Sequence, residues 1–281
     1  AGTKELSNIL LRPAAFYEKQ NIEFNLGVGL ASINRTDKTV TLNNGNILNY
    51  DKLALTLGSR VRKLAIPGRD LPGASKDVDY IKTLAKPDDK AVIIGGGYIG
   101  LETAAVLRKL GMGVTVLEMM PRVLERVTAP QLSEFYTRVH TEEGVKIVTE
   151  VAVSSIEEQQ GQNFVVCTNG ERYPADLIIV GVGVLPNHEI AEQAGLAVSN
   201  GIEVNEFSCT SDPDIVASGD CAWHYNPTYK KYLRLESVQN ATDQAKIAAA
   251  YVCDNPIVYN TLPWFWSDQY DMKLQIAGLS Q

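Results

Sequence analysis

One segment constrains this chain more than any other: VIIGGGYIGLETAAVLRKLGMGVTVLE, from Val92 to Glu118. A short apolar run enters three consecutive glycines, a helix-period pattern follows until Gly111, and a second apolar run ends on an acid. Gly95-Gly96-Gly97-Tyr98-Ile99-Gly100 is therefore a G-x-G-x-x-G that follows a predicted strand and opens a predicted helix, the context in which the motif carries meaning. Gly95 permits the tight turn, Gly97 lets the backbone approach a pyrophosphate, and Gly100 lets the helix lie close against the strand. Tyr98 and Ile99 begin that helix, whose unpaired N–H groups and positive dipole end face the phosphates. Glu118 ends the second strand about 20 residues beyond the loop, where an acid accepts from a ribose 2′-hydroxyl. Its charge repels a 2′-phosphate, and Met119 and Met120 follow where a reader of that phosphate would place a basic residue. NAD(H) is expected over NADP(H). Glu102, in the first turn of the predicted helix, reads on its own as an acid favoured by the macrodipole.

Around this segment the pattern is that of an α/β protein. Strands are predicted at 91–95 and 114–118, a helix at 98–110, and a second helix after Thr128, which is placed to cap it, with Pro130 in its first turn. Leu132, Phe135, Tyr136 and Val139 recur at helical spacing, which leaves His140 on the surface, and Gly144 ends the run. VKIV is a third strand, and DLIIVGVGVLPN reads as one long buried strand. Upstream, residues 6–20 are helical in composition but interrupted by Pro13, and a short helix is expected near 80–84. KTVTL-NNGN-ILNY is a hairpin whose central residues, Asn44 and Gly45, are both expected at positive φ, and a second hairpin turns at Asn169-Gly170 after FVVCT. KLALTL reads as a strand covered on both faces. Downstream come a helix at 237–251 and strands in the Trp-rich tail.

Composition removes several function classes. A formal charge of −7 over 281 residues argues against nucleic acid or an anionic membrane as principal partner. The first residues, AGTKELSNIL, lack a basic flank before an apolar run, so no secretory signal is read and a cytoplasmic protein is expected. Cys167, Cys209, Cys221 and Cys253 lie far apart, and so do His140, His188 and His224, which gives no redox dithiol and no metal-ligand spacing. No Ser/His/Asp or Cys/His arrangement for nucleophilic catalysis is apparent.

GGGYIGLETA, VLERVTAP, GVGVLPN, SDPDIVASGDCA, ESVQNA and PWFWSDQ occur in one order along the chain. Together they resemble the FAD-dependent NADH:ferredoxin reductases of bacterial oxygenase systems, the putidaredoxin and rhodocoxin reductase-like group of the pyridine nucleotide-disulfide oxidoreductase superfamily. The resemblance implies a Rossmann-like NAD domain, 88–206, inserted into an FAD-binding domain with a β-meander, 1–87 and 207–255, with an interface domain beginning at 256–281. It implies that Glu102 meets the nicotinamide and that Arg126, Gly181 and Gly183 line the NAD site. For the flavin it implies Gly58 of LTLGS, Gly219 and Asp220 of SGDCA with the aspartate on a ribitol hydroxyl, and Glu236, Ser237 and Val238 at the flavin-facing end of the last helix. Trp266 would stand beside the isoalloxazine.

The family's own strand–glycine loop–helix for the ADP half of FAD, and a lysine near the flavin, lie upstream of what Ala1 matches; the chain ends as the interface domain begins. An incomplete FAD site with weak or absent flavin affinity is therefore expected, beside a better supported NAD site. The implied activity is electron transfer from NADH through FAD to a ferredoxin-type iron–sulfur protein, because the flavin takes a hydride and returns electrons singly. Arg60, Arg62 and Lys63, or Lys230, Lys231 and Arg234, are candidate docking charges for such a partner. A nucleotide-binding fragment without turnover is the alternative of a different class. An NADH oxidoreductase acting on a rubredoxin or a quinone also stays open, whereas a flavin disulfide reductase fails for want of a cysteine pair.

Overall fold

A computed structural model describes residues 10–71, 74–75 and 85–279. At its centre is a parallel sheet of five described strands in the order Ala74–Ser75, Leu177–Val180, Lys90–Ile94, Gly113–Leu117 and Lys146–Val148. Successive side chains of Lys90–Ile94 point to opposite faces. Ala91 and Ile93 join Leu101, Ala104, Leu107 and Tyr136 beneath the helices Tyr98–Lys109 and Pro130–Glu142. Val92 and Ile94 instead pack with Ile156, Val165 and Tyr173 of an antiparallel meander, Val153–Gln159, Gln162–Cys167 and Arg172–Ala175. Both faces of the sheet are thus covered, as a parallel sheet requires. Gly111 (φ 88°) and Gly144 (φ 84°) end the two helices in the left-handed region.

A second core gathers Leu55, Ile202, Val204, Ile215, Ala217 and Ala222. It lies between a four-stranded sheet, built on Gly201–Val204 and Ala222–Asn226, and the parallel pair Leu53–Leu55 and Ile215–Ala217. The helix Val238–Val252 is capped by Ser237, whose Oγ accepts from the Asn240 N–H at 3.1 Å. The hairpin Trp264–Gln269/Met272–Ala277 closes the chain. No described helix is long and apolar enough to cross a membrane.

Several expectations change. In both Asn-Gly turns only the glycine, Gly45 or Gly170, has positive φ (86° in each). The asparagine is held instead by its own side chain, which accepts a backbone N–H two residues on, from Asn46 or Glu171, at 3.0 Å. Thr128 does not cap the second helix. Ala129 stands at that position, and the Thr128 hydroxyl turns back to the Leu124 carbonyl. His140 is wholly buried rather than on the surface, because the closing hairpin packs over its face of the helix. DLIIVGVGVLPN splits at Gly181–Gly183: Leu177–Val180 stays in the central sheet, and Val184–Pro186 leaves to pair antiparallel with Ser59–Val61. Leu53–Leu55 buries one face only, Ala54 being exposed. Upstream, the helix is Ala14–Lys19, entered from Pro13. The short helix expected near 80–84 lies outside the described residues. Cys167, Cys209 and Cys221 are buried thiols and Cys253 is an exposed one.

Candidate active site

The glycine loop is a crossing of three backbones. A Cβ on Gly100 would stand 2.0 Å from the Gly95 carbonyl oxygen, and one on Gly95 would stand 2.3 Å from that of Gly181. Any side chain there would drive helix, loop and neighbouring strand apart. Gly97 differs: it is the helix N-cap, supplies no side-chain cap, and a Cβ on it would meet nothing within 4 Å. The unpaired N–H groups of the first turn therefore face an open side, a ready site for an anion. Gly96, which the motif leaves unspecified, is constrained as well, since its Cβ would approach Val123 to 3.0 Å and Glu118 Oε2 to 3.1 Å.

Glu118 stands directly against this loop. Its Oε2 accepts the Gly96 N–H at 2.6 Å and its Oε1 the Met120 N–H at 2.8 Å. One donor on each oxygen fixes the carboxylate, and each oxygen keeps a further lone pair for a hydroxyl. Gly183 turns at φ 92°, and Arg126 Nη2 comes within 3.8 Å of where its Cβ would be. The sequence-predicted residues Gly95, Gly97, Tyr98, Ile99, Gly100, Glu118, Arg126, Gly181 and Gly183 thus lie around one loop and the turn beside it.

A second cluster forms where Leu53–Leu55 and Ile215–Ala217, adjacent and parallel, reach their carboxyl ends. That is where open α/β sheets bind ligands. Gly58 (φ 62°) has open space around it, and the Ser59 hydroxyl donates to Asp220 Oδ2 at 3.0 Å. Gly219 (φ 79°) donates its N–H to the buried Gln244 Oε1 at 2.9 Å. Gln244 in turn donates to His224 Nδ1, and Asn240 joins Gln244 to the Tyr259 hydroxyl. Burial pushes the His224 imidazole down to about 4, so it is neutral. Ser59 carried no sequence signal because its partner lies 161 residues on, and Gln244 and His224 carried none because no motif links their spacing. Glu236 pairs with Arg234, which also donates to the Asp220 carbonyl. Of the candidate docking charges, then, Arg234 is drawn into this cluster, and Arg60 is paired with Glu189.

The strand Trp264–Gln269 divides its two faces between the clusters. Trp264 and Trp266 stack 5.2 Å apart and, with Val238, Gln239 and Asp243, line an open groove of about 500 Å³. Phe265, on the other face, lies 4.6 Å from the Tyr98 ring, and Ser267 donates to Glu102 Oε1 at 2.5 Å. Glu102 sits beyond the first helical turn, one step further in than expected, so its charge is spent on this contact rather than on the helix end. The Tyr98 hydroxyl is buried without a partner, and burial drives its pKa up.

Residues 2–245 match the pyridine nucleotide-disulphide oxidoreductase family and residues 264–281 the reductase C-terminal family. Putidaredoxin reductase of Pseudomonas putida is 43% identical over all of this chain and 69% of its own length. A rubredoxin-NAD(+) reductase of Ectopseudomonas oleovorans is 36% identical over 97% of this chain and 72% of its own. The solved covalent complex of putidaredoxin reductase with putidaredoxin superposes with a TM-score of 0.94 at 42% identity, over 100% of this chain and 70% of that one. With its glycine crossing, its paired strand tips and its Trp-bearing hairpin, the chain belongs to the pyridine nucleotide-disulphide oxidoreductases, within their ferredoxin-reductase branch.

Proposed function

We propose that this chain passes electrons from NADH through FAD to a small ferredoxin-type iron–sulfur protein in the cytoplasm. The observation that carries the nucleotide part is the Glu118 carboxylate, held at the glycine loop by the Gly96 and Met120 amides with lone pairs to spare. The open space at Gly97 and the uncapped helix start suit a diphosphate, and the acid suits an unphosphorylated ribose. Residues 88–206 form the NAD unit, set within an FAD unit of 1–87 and 207–255, and 256–281 begin an interface unit.

The residues present also fit the flavin. Asp220, steadied by Ser59, is the acceptor for a ribityl hydroxyl, and the open backbone at Gly58 admits its approach. The Ser237-capped helix presents its positive end through Glu236, Ser237 and Val238, and Trp266 walls the same groove. A bound flavin supplies the conversion of a two-electron hydride into single-electron deliveries. The protein's own part is to bind, orient and exclude water, with Gly181, Gly183, Arg126 and Glu102 completing the nucleotide side. A second reading, with a rubredoxin as acceptor, is favoured by the rubredoxin-NAD(+) reductase among the relatives.

Two measurements test the proposal. Calorimetric titration is expected to give tighter binding of NADH than of NADPH; equal affinities would overturn the ribose argument. Titration with FAD gauges the second site against the weak or absent affinity expected of an incomplete one: the shifted absorbance of protein-bound flavin supports the flavin step, and a chain that takes up none removes it.

A further inference from the structure

An unbroken chain of side-chain hydrogen bonds joins the last hairpin to two helices, running from Tyr270 to Glu102. The Tyr270 hydroxyl lies 3.1 Å from His140 Nδ1, and His140 Nε2 lies 2.8 Å from Gln269 Oε1. Gln269 Nε2 reaches Ser267 Oγ at 3.1 Å, and Ser267 Oγ reaches Glu102 Oε1 at 2.5 Å. Every interior member is withdrawn from water: His140 and Gln269 are 0% exposed and Ser267 is 1%.

The direction of each bond follows from its last member. A carboxylate oxygen accepts, so the one hydroxyl proton of Ser267 goes to Glu102. Ser267 must then accept from the amide nitrogen of Gln269, which turns the Gln269 carbonyl oxygen to His140. That oxygen needs a donor, so His140 carries its proton on Nε2, and its bare Nδ1 accepts from Tyr270. One carboxylate thereby sets the rotamer of a serine, the flip of an amide and the tautomer of an imidazole. Burial lowers the pKa of His140, in keeping with the neutral ring this requires. Apolar side chains would fasten the hairpin to the helices at less desolvation cost than three buried polar groups. What the polar chain adds is a fixed terminus on Glu102, which stands on the glycine-loop helix.

We propose that Ser267, Gln269 and His140 are positioning residues that hold Glu102 in one rotamer, leaving its Oε2 to accept from the carboxamide N–H of a bound nicotinamide. This rests on the reading of Glu102 given under the proposed function. The reductase C-terminal segment thus takes part in nucleotide recognition from outside the nucleotide unit.

The experiment compares NADH with ADP-ribose, which keeps the diphosphate and the adenosine but lacks the nicotinamide. The full chain is titrated calorimetrically with each. Wild type is expected to bind NADH more tightly than ADP-ribose. Ser267→Ala should erode that advantage about 5–10-fold, the worth of one charge-assisted hydrogen bond, while the ADP-ribose affinity stays within about twofold. Gln269→Leu, which frees the serine hydroxyl to reorient, should erode it about two- to threefold. Nitrogen NMR of the imidazole supplies a readout independent of ligand: His140 is expected as the Nε2–H tautomer in wild type, relaxing toward a mixture in Ser267→Ala. An unchanged NADH to ADP-ribose ratio, equal weakening of both ligands, or an Nδ1–H tautomer in wild type overturns the inference alone. A wild-type chain that binds neither ligand overturns the nucleotide reading itself.

Discussion

The two candidate clusters differ in how far along the chain their parts come from. Glu118 and Gly96, which fix the acid against the glycine loop, are 22 residues apart. Ser59 and Asp220, which fix the acid of the second cluster, are 161 apart. The first is assembled by one strand–helix–strand unit in a sheet covered on both faces, the second by two short strands of which one leaves Ala54 in solvent. A site built from local contacts meets little loop-closure cost, whereas one joined across 161 residues forms only after the chain between its parts has folded. The glycine-loop cluster is therefore expected to be the stiffer and the Asp220 cluster the first to open.

Substitution at two glycines is the hardest blow to this contrast. Gly100→Ala places a methyl group against the Gly95 carbonyl and should cost about 1–3 kcal/mol of stability in chemical denaturation. Gly97→Ala meets no atom in the fold and, at a helix N-cap, should cost no more than about 1 kcal/mol while NADH affinity falls at least tenfold. If Gly97→Ala binds NADH as wild type does, the loop is not the diphosphate cradle. Acid probes the other half. His224, buried neutral with its pKa at about 4 against an ordinary 6.5, contributes fully above pH 6.5. As the pH falls from 6.5 toward 4 the unfolded chain takes up the proton first and stability is lost, by on the order of 3 kcal/mol at most. His224→Gln should flatten that part of the profile, and an unaltered slope would place the titrating group elsewhere.

Smaller effects separate the two acids. Glu118→Ala is expected to weaken NADH binding about tenfold and to narrow its margin over NADPH. Asp220→Asn should lower flavin affinity less, about three- to tenfold, and leave the NADH titration unchanged. A change in both titrations would mean that the clusters are coupled rather than separately built. The smallest effect is expected at the exposed Arg60–Glu189 pair, where Arg60→Ala should alter stability by no more than about 1 kcal/mol.

The same contrast explains what could be read in the chain itself. The loop, its helix and Glu118 were legible because the contacts of Gly100 with Gly95 and of Glu118 with Gly96 lie within one βαβ unit, where backbone geometry dictates the spacing. Gly96 was not, because the motif specifies what a diphosphate needs and says nothing of the room a neighbouring carboxylate needs. Helical periodicity put His140 on the surface, and it is buried because the strand that covers it arrives 129 residues later. Thr128 carried a capping signal, but its hydroxyl found a nearer carbonyl one turn back. Likewise the apolar run at 177–186 read as one strand, and only the crossing of Gly181 with Gly95 explains why it leaves the sheet there.

The alternation of Trp264–Gln269 reaches beyond packing. Its even-numbered aromatic residues, Trp264 and Trp266, and its odd-numbered Phe265 and Ser267 serve two different neighbours through one six-residue ribbon. Sliding the hairpin by a single pairing would hand the indoles to the glycine-loop helix and the serine to the open groove. The register of the ribbon is therefore held from both faces, and the turn at Tyr270–Asp271 is the part of it that can lengthen without moving either set of contacts.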